Sequence, residues 1–337
     1  MSVTPGAIRF NTDSMKLEYF RIGTAGIGTL AAGEWVQITT DSPDIQTGGT
    51  RGLNMGGIIA PARTDAVDYI TISTTGNSLD FGTLVQSASQ GAGLGSRTRA
   101  IAGGGTPSTP GGTNNIDTHI FASTGDFTDF GNFTNTRMER VGVSNQTRGI
   151  FMGGLVVPTA HNTIEYVTIA TTGEGIDFGI LSGLKVGGGA AGNSTRAIHA
   201  GGNSPTFIAM DVVTISTLGN GQNFGDLWTA LGNTRGGNCG SPTRGLMAGG
   251  NPNGDNIHYV TIPTLGNSID FGNLTSSSSQ IAHMSSTTRG VFAGNGSGTS
   301  NVIDYVQIQT TGNAVDFGDL DANNGYGAGA SNAHGGL

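Results

Sequence analysis

Six near-copies of one segment fill most of this chain, and no other feature restricts its fold as tightly. The copies start at Thr50, Thr98, Thr147, Thr195, Thr243 and Thr288. Their Thr-Arg arginines, Arg51, Arg99, Arg148, Arg196, Arg244 and Arg289, recur every 45 to 49 residues. A period of that length belongs to propellers and solenoids, in which one repeat cannot bury its apolar face alone.

Within a copy the pattern is short and β-like. An apolar run ends in a glycine doublet, as in Leu53–Gly57, Ile150–Gly154 and Leu246–Gly250. After a variable loop comes an alternating run such as Val67-Asp68-Tyr69-Ile70-Thr71-Ile72, the period-2 signature of a strand rich in β-branched residues. Gly76-Asn77, Gly219-Asn220, Gly266-Asn267 and Gly312-Asn313 then supply residues that tolerate positive φ, which predicts a hairpin turn. Asp-Phe-Gly-x-Leu follows, and a small-residue run such as Gly91–Ser96 leads into the next Thr-Arg. Four strands per unit is the content of one propeller blade.

At 337 residues the chain exceeds the length of a typical domain, but repeat folds do so in one piece. Charged residues make up 11% of it, against roughly 25% in ordinary soluble domains, and 60 residues are glycine without a collagen period. The net charge of −8 leaves no basic stripe, so duplex nucleic acid is not an expected partner. The first residues carry no basic run and apolar core of the secretory kind, and no apolar stretch approaches 18 residues, so membrane insertion is not expected. Cys239 is the lone cysteine, which excludes an intrachain disulfide.

Residues 1–49 lie outside the repeat. Gly6–Asp13, Met15–Ile22 and Glu34–Ile38 read as three short strands with a glycine-rich loop over Gly23–Gly33. The run Gly6-Ala7-Ile8-Arg9-Phe10-Asn11-Thr12-Asp13, followed by Leu17-Glu18-Tyr19 and Trp35-Val36, resembles a segment at the front of many virion proteins of tailed phages, including tail fibres. The resemblance implies attachment, with Ile8, Phe10, Leu17, Tyr19 and Trp35 as the residues that carry it. It also implies a virion protein, assembled in the host cytoplasm, whose partners are other capsid or tail proteins, further copies of itself, or a host-surface glycan.

From Thr50 onward the copies resemble kelch repeats, in the doublets Gly56-Gly57, Gly103-Gly104, Gly153-Gly154, Gly201-Gly202 and Gly249-Gly250 and in the acidic-Tyr pairs Asp68-Tyr69, Glu165-Tyr166 and Asp304-Tyr305. The pattern departs at Asp117-Thr118, Asp211-Val212, His258-Tyr259 and Gly294-Asn295, and phenylalanine stands where kelch repeats carry tryptophan. Copy 1 lacks the small-residue strand that precedes the others, and Gly325–Asn332 matches it. The expected fold is therefore an all-β, six-bladed, kelch-like β-propeller over 50–337, closed by its C-terminal strand, with a small N-terminal β segment over 1–49.

The repeated residues read as scaffold. Asp80-Phe81, Asp129-Phe130, Asp177-Phe178, Asp270-Phe271 and Asp316-Phe317, with Asn223-Phe224 as the sixth, spell the metal-binding tripeptide of kinases, but without that fold's glycine loop and strand lysine. The phenylalanines are expected to fill the inter-blade core. Each Thr-Arg arginine is expected to pair with an Asp-Phe-Gly aspartate. The alternatives are an exposed rim position and a ring around the axis that would bind anions. His119, His161, His199, His258, His283 and His334 show no ligand spacing, and the acidic residues do not form a calcium loop, so neither a metal nor a cofactor is expected. Asn145-Gln146-Thr147 and Asn193-Ser194-Thr195 fit the glycosylation pattern by chance. No convergent acid, base and nucleophile set emerges, so no enzyme is expected. Binding is expected on the loops after the glycine doublets, Ile58–Ala66, Gly105–Asn115, Leu155–Thr163, Asn203–Ala209, Asn251–Asn256 and Asn295–Val302.

Overall fold

Each repeat folds into an antiparallel sheet because its apolar and β-branched runs alternate, and because the Thr-Arg step carries its own turn. In that turn a Ser or Asn three residues ahead accepts the arginine N–H: Ser96 for Arg99 at 3.1 Å, Asn145 for Arg148 at 2.8 Å, Asn193 for Arg196 at 2.9 Å. The two glycosylation-like asparagines are thus turn caps. The computed structural model describes residues 7–11, 16–22, 33–37, 50–108, 112–203, 208–232, 234, 237–252, 254–296 and 298–337, all of them strand, turn or irregular. It divides into two compact units, 1–45 and 46–337.

The larger unit is a six-bladed β-propeller. Five blades are four-stranded and the fifth shows three strands among the described residues. Blade 3 is typical, running from the axis outward as Val141–Ser144, Arg148–Met152, Thr163–Thr168 and Ile176–Ile180. Blade 1 is completed by the end of the chain, where Ala328–Ser331 pairs antiparallel with Gly52–Met55. The junction is copied in detail, since Asn332 Oδ1 accepts the Arg51 N–H at 2.8 Å, the same cap that Asn145 gives Arg148. The innermost strands need glycine and alanine because they meet backbone to backbone: a Cβ at Gly93 would strike the Gly329 carbonyl, and one at Gly142 the Gly93 carbonyl.

Asp-Phe-Gly encodes a β-bulge. In blade 1 Val67 pairs with Gly82 and Asp68 with Asp80, which leaves Phe81 as the extra residue, and the other blades repeat the shift. The bulge turns each phenylalanine into the seam with the next blade. Phe81 meets Ala100 and Phe121, Phe178 meets Val213 and Ile215, and Phe317 closes the circle against Ile70 and Ile72. The bulge glycine has φ between 144° and 148° in all six copies. It cannot carry a side chain, since a Cβ at Gly225 would collide with the Gly266 carbonyl of the following blade.

The predicted Gly-Asn hairpin turns are a correction. Seven residues separate Thr71 from Leu79, and the tight turn lies earlier, where Thr74 N–H meets the Thr71 carbonyl at 3.1 Å. The Gly-Asn pair instead reaches the preceding blade: Gly266 N–H donates to the Phe224 carbonyl at 2.8 Å, and Asn267 Oδ1 accepts the Asp226 N–H at 2.9 Å.

The smaller unit is a three-stranded antiparallel sheet of Ile8–Asn11, Lys16–Ile22 and Gly33–Gln37 in that order. Ile8 stands opposite Tyr19 and Phe10 opposite Leu17, whereas Trp35 stands opposite Phe20. Arg9 Nη2 lies 2.7 Å from Glu18 Oε2, and Ile8 is exposed. The expected loop over Gly23–Gly33 lies outside the described residues except at its last position.

Candidate interaction surface

The six arginines do not pair with the Asp-Phe-Gly aspartates. Each sends Nη1 to a backbone carbonyl at the end of the third strand in the next blade: Arg51 to Phe121 at 2.6 Å, Arg99 to Ile169 at 3.0 Å, Arg148 to Ile215 at 2.8 Å, Arg196 to Ile262 at 2.8 Å, Arg244 to Ile308 at 2.9 Å and Arg289 to Ile72 at 3.1 Å. The carbonyl at a strand end lacks a ladder partner, and the guanidinium satisfies it. Asp80, Asp129, Asp177, Asp270 and Asp316 are exposed on the outer strands. The arginines are half-buried between blades and do not form the anion ring either. We expect Arg148→Ala to cost about 1–3 kcal/mol through the lost charged hydrogen bond. Arg148→Lys should recover only part of it, because an ammonium cannot reproduce the planar fork. Urea unfolding checks both.

A second latch runs from the acidic position of the third strand back to the preceding blade. Asp117 accepts the Val85 N–H at 3.2 Å, Glu165 the Thr134 N–H at 3.0 Å, Asp211 the Ser182 N–H at 3.2 Å and Asp304 the Thr275 N–H at 3.0 Å. Two of these carboxylates hold buried cations, with Arg140 Nη1 2.6 Å from Glu165 Oε2 and Lys185 Nζ 3.3 Å from Asp211 Oδ2. Burial would raise the Glu165 carboxyl, but Arg140 and the Thr134 hydrogen bonds hold it below its ordinary value.

The histidines are mostly interior. His199, His258, His283 and His334 are 0–1% exposed. Burial lowers His258, His283 and His334 from 6.5 to about 4, and His199 well below 6.5. His334 sits on the axis: Nε2 lies 3.2 Å from Ser144 Oγ and 3.1 Å from the Gly95 carbonyl, and Nδ1 lies 2.9 Å from Asn238 Nδ2. Residues 333–337 thereby close one end of the axis across the inner strands of blades 2, 3 and 5. Cys239 is buried, and burial pushes its thiol up to about 12.

These groups set a pH response with a definite sign. Between pH 6.5 and 4 the unfolded chain binds protons that the four folded imidazoles refuse, so acid removes stability. Asp68 and Asp117, raised to about 6 chiefly by burial, and Asp304, raised for the same first reason, act oppositely by taking up protons in the folded state first. The imidazoles are more numerous and more deeply buried, so they prevail. The melting temperature should fall steadily from pH 7 to 4.5. Asp117→Asn should steepen that fall, because it removes an opposing contribution.

Where they are described, four of the loops after the glycine doublets are tied down by strand pairing. In blade 1 the second strand runs to Ile59 and the third begins at Ala62, so the expected loop Ile58–Ala66 shrinks to Ala60-Pro61. Leu155–Val156 pairs with Thr159–Ala160, Thr106–Pro107 with Ala88–Ser89, and Asn251–Pro252 with Leu231–Gly232. Residues 109–111, 204–207, 253 and 297 of these loops lie outside the described residues. On the same face Gln90, Glu139, Gly187, Gln280 and Tyr326 take positive φ at the entry of the inner strands of blades 2, 3, 4, 6 and 1. Their backbones join around the axis, Glu139 N–H to the Gln90 carbonyl at 2.9 Å and Gln90 N–H to the Tyr326 carbonyl at 3.0 Å. Sequence reasoning missed this ring because no single residue type recurs through its members, which are two glutamines, a glutamate, a glycine and a tyrosine.

Two surface depressions stand out. One, of about 630 Å³, lies beside the axial end closed by residues 333–337 and is lined by Thr50, Arg97, Thr288, Arg289, Asn332 and Leu337. The other, of about 280 Å³, lies on blade 4 around Arg196. Among the described residues no group of three or more His, Cys, Asp or Glu could hold a metal ion, and no helix is long and apolar enough to cross a membrane. The larger unit is a propeller whose blades are bonded to one another, a fold compatible with an interaction module. No protein-family model matches the chain, and no curated protein matches it.

Proposed function

We propose that this chain is a non-catalytic structural protein of a tailed-bacteriophage particle, displaying its propeller as a capsid decoration or tail appendage. Residues 1–49 attach it to other virion proteins or to further copies of itself. The observation that carries this reading is the Gly6–Asp13 run followed by Leu17-Glu18-Tyr19 and Trp35-Val36, which resembles the front segment of such proteins. The propeller supports it in a general way, because its repeated arginines and third-strand acids bond blade to blade and leave a rigid module. The test is a density map of intact particles, with and without residues 1–49 of this chain. Six-bladed discs that vanish on the deletion are expected. Particles that never carry the disc overturn the reading.

A host-glycan adhesin is the second reading, favoured by Trp228, which is 48% exposed and tilted over His258 at 5.4 Å. Aromatic platforms of that kind suit sugar rings. A glycan array probed with the full chain and with Trp228→Ala separates the two readings.

A further inference from the structure

In four blades the Thr-Arg arginine lies over a tyrosine of the third strand: Arg51 over Tyr69 at 4.7 Å, Arg148 over Tyr166 at 4.3 Å, Arg244 over Tyr259 at 4.4 Å and Arg289 over Tyr305 at 5.0 Å. An aliphatic residue of the outer strand stands opposite each tyrosine, namely Leu79, Ile176, Ile269 and Val315. Blades 2 and 4 depart at both positions, with Thr118 opposite Thr128 in blade 2 and Val212 opposite Gln222 in blade 4. Two further departures flank the place in blade 4. Leu218 and Leu265 precede the turn glycines where the other copies have Thr75, Thr124, Thr172 and Thr311, and they are 60% and 61% exposed. The missing tyrosine leaves the notch of about 280 Å³, with Arg196 and Val212 inside, Leu218 and Leu265 beside it, and Asn220 and Gln222 at its edge.

We propose that this notch is a docking site for an aromatic side chain, a tyrosine-like phenol presented by a partner protein, which stacks on Arg196 as the chain's own tyrosines stack on their arginines. The guanidinium is held in place by its bond to the Ile262 carbonyl and is already half-buried, so a ring over it adds a desolvated cation–π contact. The two leucines cover the ring edges, and the exposed Gln222 amide can bond the phenol oxygen. Blade 2 shares the missing tyrosine but keeps Thr124 and Thr172 beside it, so only around Arg196 do two exposed leucines join the vacancy, an arrangement the other blades fold without. The inference deepens the reading of the propeller as an interaction module and rests on that reading only for the source of the ring.

The experiment titrates the full chain with N-acetyl-tyrosinamide, N-acetyl-leucinamide and methyl glucoside, observed by saturation-transfer NMR. Binding of the tyrosinamide alone is expected. Val212→Tyr restores the residue other blades carry, so it should fold and lose the signal at least tenfold. Leu265→Thr, also a residue of the other copies, should weaken binding several-fold, and Arg196→Lys about 2- to 30-fold. Undiminished tyrosinamide binding by Val212→Tyr overturns the site, as does a preference for the leucinamide or the glucoside. A chain that decorates particles yet binds no tyrosinamide overturns the notch and leaves the display role standing.

Discussion

Phe178→Ala should lower the stability of the propeller by about 3–5 kcal/mol, whereas Asp177→Asn, one residue away, should change it by less than about 0.5 kcal/mol. Phe178 is 3% exposed in a cluster with Val141, Ile164, Val213 and Ile215, so truncation opens a cavity between blades 3 and 4 that neither rigid sheet can close. Asp177 lies exposed on the outer strand. A chain using Asp-Phe-Gly for ion pairing would show comparable losses at the two positions. A chain using it as a bulge that aims one ring into a seam shows the asymmetry. Calorimetric unfolding of both variants reads it directly, at about 2–4 °C per kcal/mol or less for a unit of this size. Equal shifts at the two positions would return the aspartate to the ion-paired role.

The blade count, the strand content and the closure by the C-terminal strand were legible because each leaves a mark at a fixed period. The partners of the repeated residues were not. Arg148 and Asp177 recur with the same spacing, so periodicity cannot say whether they meet, and the better acceptor proved to be the Ile215 carbonyl of the next blade. Asn267 looked like a turn residue because Gly-Asn is a turn dipeptide, yet its side chain reaches back to Asp226 of the preceding blade. Register between neighbouring blades, which decides both cases, has no expression within one copy. The departures at Val212, Leu218 and Gln222 of blade 4 and at Leu265 of blade 5 were visible as mismatched letters, but only the fold brings them to one notch. The axial ring at Gln90 and Glu139 and the burial of His334 left no pattern to read.

Removing Ala328–Leu337 should cost more than any single core truncation, beyond about 5 kcal/mol, because it opens the ring. Four pairings with the strand from Gly52 to Met55 disappear, and with them Ala328 and Ala330 from the core around Leu53 and Phe81. The loss spreads further than one blade. Arg51 forfeits its Asn332 cap while its guanidinium holds Phe121 of blade 2, and the Ser144 hydroxyl of blade 3 and the Asn238 amide of blade 5 forfeit His334. The strand bearing Leu53 would then present an unpaired edge, the kind that recruits a strand from another molecule. The shortened chain should therefore melt early and associate with increasing concentration, as light scattering would show. A peptide spanning 322–337 added in trans should pair with that edge and restore the transition. If the shortened chain stays monomeric and melts within a few degrees of the full one, blade 1 is held by something other than its C-terminal strand.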